Sequence, residues 1–200
     1  MKHTKPQIST PLIRAVQRYS SSEVYFLQSL DDSLKISSWD LSTIVKSCNE
    51  PLIYKYLFKD SLNGEPYTIE DARNFIRWAN LGWKERRYFV FLIKNPGGKI
   101  VGCIELSSAI LTESAIGYWM TSTVSGVMTN VLGCLIDIAK EAGYRKLSAR
   151  VEPDNVRSSR LLERLDFIHT SSSIERINFL GKPMGKRKTF HYYEKKLIPD

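Results

Sequence analysis

Between Ile116 and Phe167 the chain alternates short strand-like runs with apolar stripes of helical period, and this alternation limits the fold more than any other stretch. Ile116–Thr121 reads as a strand that breaks into a Ser/Thr/Gly loop ending at Gly126. The loop opens directly into a helix over Val127–Gly143, with Met128, Val131, Leu132, Leu135, Ile136 and Ala139 on one stripe and Gly143 at its stop. A second strand, Lys146–Glu152, ends in Pro153-Asp154-Asn155 and opens another helix. A strand that feeds a helix through small residues is a place to hold phosphate. The first helical N–H groups lack internal acceptors and the helix dipole favours an anion there.

The stretches on either side complete a fold class. Val24–Leu30 reads as a strand, and Ser38–Ser47 and Pro51–Phe58 as short helices around an Asn49-Glu50-Pro51 break. Thr68–Arg86 reads as a helix, with Thr68 and Asp71 close to a capping box and Ile69, Ala72, Phe75, Ile76, Ala79 and Trp83 at helical spacing. Tyr88–Lys94 is a strand, Asn95–Gly98 a turn, Lys99–Ile110 a second strand and Thr112–Ser114 another turn. Lys182–Lys188, broken by Gly181, Pro183 and Gly185, reads as a loop before a last strand near Thr189–Leu197. An antiparallel meander followed by strand–helix–strand predicts an α+β, three-layer sandwich. Its central sheet is mixed, with antiparallel N-terminal strands and a parallel central pair, and helices flank it. Residues 1–22 separate as a basic N-terminal arm or extra strand, and 23–200 form one domain.

Composition narrows the setting. A hydrophobic content of 42% and a charged content of 25% are globular values, and no apolar run is long enough to span a bilayer. The three cysteines, Cys48, Cys103 and Cys134, lie far apart, and His3, His169 and His191 are scattered, so no metal-ligand spacing exists. Reduced, mostly buried thiols in a cytoplasmic protein are expected. The net charge of +8 attracts polyanions, and Lys182, Lys186, Arg187, Lys188, Lys195 and Lys196 concentrate it near the C-terminal end. No base-reading motif accompanies it, so sequence-specific nucleic-acid binding is not expected, nor is a membrane.

Three motifs stand in order on these elements: Gly117-Tyr118-Trp119, Gly126-Val127-Met128-Thr129, and Asn155-x-x-Ser158 with Leu161, Leu162, Leu165 and Phe167 behind it. Together they resemble the acyl-CoA-binding region of the GNAT acetyltransferase superfamily. The nearest likeness is to the ribosomal-protein N-terminal acetyltransferase-like (RimJ/RimL) branch, over roughly Asn49 to Leu197. The family's phosphate loop runs Gln/Arg-x-x-Gly-x-Gly/Ala. Here it departs: Thr123 stands for the Gln/Arg, Met128 for the small residue, and the run from Trp119 to Met128 is short. The resemblance implies acetyl-CoA as co-substrate, bound through Val124, Ser125, Gly126, Val127, Met128 and Thr129. Asn155 is either a plain N-cap, a contact for the pantetheine arm, or both. Asp166 stands where the family has a Gly in the left-handed region.

The implied chemistry is direct transfer of an acetyl group to a primary amine, of a protein N-terminus, ribosomal or other, or of a small molecule. The family's Tyr at the position of Leu162 is missing, so Ser158 is the candidate for the leaving thiolate, against the alternative of a surface helix serine. The branch's usual Glu is replaced by Ala115. Glu105 is the candidate base, with Glu113 the other nearby carboxylate; alternation puts Glu105 on one face with Cys103 and Ser107. The other functional reading is a catalytically weak GNAT-fold module that binds acyl-CoA or a protein partner without turnover. A homodimer is compatible with either.

Overall fold

The computed structural model describes the backbone of residues 5–179 and 182–198, and the side chains of these outside 176–186. Eight strands form one sheet in the order β1-β2-β3-β4-β5-β6-β8-β7. They are β1 Ile13–Gln17, β2 Val24–Ser29, β3 Phe89–Lys94, β4 Ile100–Leu106, β5 Ser114–Met120, β6 Lys146–Val151, β7 Ile168–Phe179 and β8 Lys182–Lys196. Every neighbouring pair is antiparallel except β5 and β6, which run parallel. The helices are α1 Ser38–Cys48, α2 Pro51–Ile53, α3 Ile69–Glu85, α4 Met128–Glu141 and α5 Val156–Arg164, and α2 runs on into a π-helical turn, Tyr54–Phe58.

The expected three layers are present, and side-chain alternation builds them. In β3, Phe89, Phe91 and Ile93 point into one core with Val131, Leu132 and Leu135 of α4 and Leu162 of α5. Val90 and Leu92 point into a second core with Ile44 of α1 and Ala72 and Ala79 of α3. A strand buried on both faces must be apolar throughout, which is why β3 reads as an unbroken hydrophobic run. The expected capping box of Thr68 with Asp71 is present, and Ser37 with Asp40 forms a second one at the start of α1. Asp166 takes the left-handed conformation with φ 57°, as the Gly of the family would. Leu12 and Val16, flanking and within β1, are buried in the α4-side core.

Two expectations are corrected. The strand after the Asn95 turn ends at Leu106, not Ile110. Lys182–Lys188 is strand, not loop. It forms the first half of β8, a long hairpin with β7 that pairs Asn178 with Pro183 and Glu175 with Lys188. Gly181, one of the expected breakers, lies outside the described residues. Pro183 and Gly185 are tolerated in β8, and a register shift between Arg176 and Asn178 lies opposite them.

Candidate active site

The parallel pair holds together over only two registered positions, Ser114 with Leu147 and Ala115 with Ser148. β5 continues to Met120 and β6 to Val151 without pairing further, so the two strands splay apart. On its other side β5 stays paired to β4 as far as Met120 with Gly102. The result is a V-shaped opening in the sheet, walled on one side by the free edge of β5. N–H and C=O groups along that edge have no strand partner and are free to bind an extended ligand.

The loop after β5 leads to the start of α4. Gly126 sits at φ +73°, a conformation that glycine adopts without a side-chain penalty. The helix begins at Val127 with no side-chain cap. Among the described residues, the N–H groups of Val127, Met128, Thr129 and Asn130 find no acceptor. These orphan donors, at the positive end of a 14-residue helix, suit a pyrophosphate. Two features here had no signal in the sequence. The β1–β2 turn packs on this loop, and the Tyr19 N–H donates to the Gly126 carbonyl at 2.8 Å. The Arg18 side chain lies against Gly126, 3.8 Å from where a Cβ would stand, and pairs with Glu23.

A hydrogen bond links the two arms of the V. The Tyr118 hydroxyl of β5 meets the Ser158 hydroxyl of α5 at 2.6 Å. Burial pushes the Tyr118 phenol up to about 12, with the Ser158 contact pulling the other way, so the phenol keeps its proton. It can donate to Ser158 Oγ and leave the serine O–H for a third group. Asn155 is the N-cap of α5, and its Oδ1 accepts from the Ser158 N–H at 3.3 Å. Asn155 and Ser158 therefore sit together at the helix start. Just outside, the Lys55 ammonium and Asp154 carboxylate pair at 2.6 Å, and the Tyr56 hydroxyl donates to the Asp154 carbonyl. The π-helical turn is thereby tied to the β6–α5 turn.

On the α1–α3 side of the sheet, next to Tyr118, lies a cavity of 260 Å³. Its floor is Cys103 and Glu105 of β4 and Gly117 and Trp119 of β5, residues paired across the two strands. Gly117 leaves room for Glu105, because a Cβ at that position would stand 3.0 Å from Glu105 Oε1 and press on the carboxyl. The Glu105 carboxyl is raised above its ordinary range by burial, an effect partly offset by the Ser107 hydroxyl, which donates to Oε1 at 2.8 Å. Oε2 has no partner among the described residues. Glu113 is elsewhere, held below the usual carboxylate range by the Ser148 hydroxyl and Lys146. Burial drives the thiols of Cys48, up to about 12, and Cys103 upward, so both stay protonated and inert. Tyr118, Trp119 and Trp78 line this cavity, whereas Trp83 and Tyr193 are core and Tyr192 lies outside it. Leu57, Phe58, Tyr67 and Phe75 also line it. The Phe75–Trp78 spacing on α3 was the available sign of that wall.

The basic C-terminal cluster is not a free patch throughout. Lys188 bridges Asp60 at 2.6 Å and Glu152 at 2.7 Å, with all three side chains largely shielded from solvent. Among the described residues, no helix is long and apolar enough to cross a membrane.

The chain belongs to the GNAT acetyltransferase family: residues 34–168, more than half of its length, match the family described as the acetyltransferase (GNAT) domain. No curated protein matches it in sequence. Solved structures share its fold. RimJ of Mycobacterium smegmatis, in complex with CoA-disulfide, superposes with a TM-score of 0.70 at 15% identity, over 92% of this chain and 86% of that one. Ribosomal-protein-S5-alanine acetyltransferase of Vibrio fischeri gives 0.67 at 17% identity, over 94% and 100%. Spermidine N-acetyltransferase of Vibrio cholerae, in complex with CoA and spermine, gives 0.65 at 14%, over 86% and 95%. At these identities the likeness is one of fold.

Proposed function

We propose that the protein is an acetyl-CoA-dependent N-acetyltransferase that acetylates a primary amine by direct transfer. The observation that carries the reading is the V between β5 and β6, with the uncapped N-terminus of α4 at one end and the Tyr118–Ser158 pair across it. The N–H groups of Val127 to Asn130 would hold the pyrophosphate, with Val124, Ser125 and Gly126 shaping the approach. Asn155 would contact the pantetheine arm while it caps α5. Acetyl-CoA brings an activated acetyl group as a thioester. Glu105 would take the proton that the amine loses as the N–C bond forms. Ser158, oriented by Tyr118, would protonate the sulfur as the C–S bond breaks. The products are the N-acetylamine and the CoA thiol; starting from an ammonium, one proton goes to solvent. The three relatives named above, two of them solved with CoA or a CoA-disulfide and one with spermine, support both substrates in kind.

The test is thermal shift with acetyl-CoA, followed by thiol release over a panel of amines. A ligand at one hundred times its Kd stabilises by about 2.7 kcal/mol. Gly126→Asp should erase that shift, because it sets a strained side chain and a negative charge against the pyrophosphate. No shift in the unaltered protein at saturating acetyl-CoA refutes the reading.

A further inference from the structure

The cavity beside Glu105 has a composition that discriminates among amines, and this inference rests on the acetyl-transfer site proposed above. Its 260 Å³ lies just below the range of about 300–1,000 Å³ typical of small-molecule sites. That holds one body of about aryl size, and anything longer must extend past the mouth. Leu57 and Phe58 close it from the π-helical turn, Phe75 and Trp78 from α3, and Trp119 from the sheet. One face of Trp78 is already taken by Tyr88, stacked at 4.2 Å. Among the described lining residues, Glu105 is the only carboxyl and no lysine or arginine accompanies it, and its Oε2 is open. A single cation can be matched there. A second ammonium, as in a polyamine or a free lysine, would enter an apolar wall with no carboxylate to meet it, which is costly for a desolvated charge.

We propose that the acceptor is a small primary monoamine on an apolar, aryl-sized body, with its ammonium against Glu105 and its body among the rings. Leu57 is 43% exposed, so it can be changed at the cavity wall without emptying the core. The full-length protein is assayed with acetyl-CoA and 2-phenylethylamine, spermidine, lysine methyl ester and a short peptide with N-terminal Phe. Binding of 2-phenylethylamine is followed separately by tryptophan fluorescence, which Trp78 and Trp119 report. The expected result is a kcat/KM for 2-phenylethylamine at least about tenfold above the other three, the scale on which an apolar pocket discriminates. Leu57→Asp, which adds a second carboxylate to the wall, should move the ratio toward spermidine by a similar factor. If spermidine, the lysine ester or the peptide is the best acceptor, or if Leu57→Asp leaves the ratio unchanged, the monoamine assignment is wrong while acetyl transfer stands. If acetyl-CoA neither shifts the melt nor supports thiol release with any amine, the site reading falls and takes this inference with it.

Discussion

Tyr118 and Ser158 can be separated by a double-variant cycle. Tyr118→Phe removes one hydroxyl and keeps the ring that packs against the α4-side core. It therefore removes the 2.6 Å contact to Ser158 with little change in shape. A neutral hydrogen bond contributes about 0.5–1.5 kcal/mol net, and each 1.4 kcal/mol is tenfold in rate. If Tyr118 acts by aiming the serine hydroxyl, Tyr118→Phe should lower kcat by about 2- to 10-fold. Ser158→Ala removes the proton donor itself and should lower kcat by about a hundredfold or more. The double variant should be no slower than Ser158→Ala alone, because the phenol has nothing left to orient. Single-turnover thiol release at saturating acetyl-CoA measures this, with melting temperatures as a control for folding. Acetyl-CoA affinity should hardly change in either single variant. Two results refute the argument. Unchanged kcat in Ser158→Ala assigns the serine to the helix surface. Fully additive losses in the double variant mean that Tyr118 acts on the reaction independently of Ser158.

Two further outcomes follow from the pocket floor and from α3. Ser107→Ala removes the donor that pulls the Glu105 carboxyl down, so burial should raise it further and the acid limb of kcat/KM should move to higher pH. The amine's own limb stays fixed. The folded-state value of Glu105 lies above its unfolded one, so its contribution to stability is present at low pH and lost as pH rises through the folded value. Glu105→Gln should therefore melt higher than the parent at neutral and alkaline pH and show no such gap in acid. Gly82→Ala should cost about 1–3 kcal/mol in denaturant unfolding, because the added Cβ would stand 2.1 Å from the Tyr88 ring and 2.7 Å from its carbonyl. A loss within error would mean that α3 shifts freely against Tyr88.

The elements were legible wherever one physical rule dominated. The stripe of α4, the apolar run of β3 and the Thr68 capping box each state their structure locally. Asn155 likewise caps α5 as its residue type suggests. Lys182–Lys188 misled because Gly and Pro break isolated strands, whereas here pairing with β7, from Asn178 with Pro183 to Glu175 with Lys188, overrides local preference. Its charges misled for a related reason: Lys188 is partnered by residues from two distant segments, Asp60 and Glu152. At the pocket, alternation put Glu105 with Cys103 and Ser107, but period alone cannot say which face a helix pair covers. That depends on α1 and α3 packing over β4 and β5, a tertiary fact. The Tyr118–Ser158 contact joins residues forty positions apart and had no sequence sign beyond the two motifs themselves.

The short loop between β5 and α4 is braced by the N-terminal hairpin. With fewer residues between Trp119 and Met128, the loop has less chain to fix its own peptide planes. The Tyr19 backbone N–H donates to the Gly126 carbonyl, and the Asn130 side-chain Nδ2 donates back to the Gln17 carbonyl at 2.7 Å. In a trans peptide the carbonyl and the following N–H point in opposite directions. Holding Gly126 O toward the hairpin therefore turns the Val127 N–H away from it, toward the open start of α4. A side-chain rule such as Gln/Arg at the loop's first position is not needed to set that donor, which makes Thr123 tolerable there. The Tyr19–Gly126 contact is backbone to backbone across the whole N-terminal half of the chain, so residue identity could not announce it. The hairpin belongs physically to the β5–α4 loop although the sequence separates them.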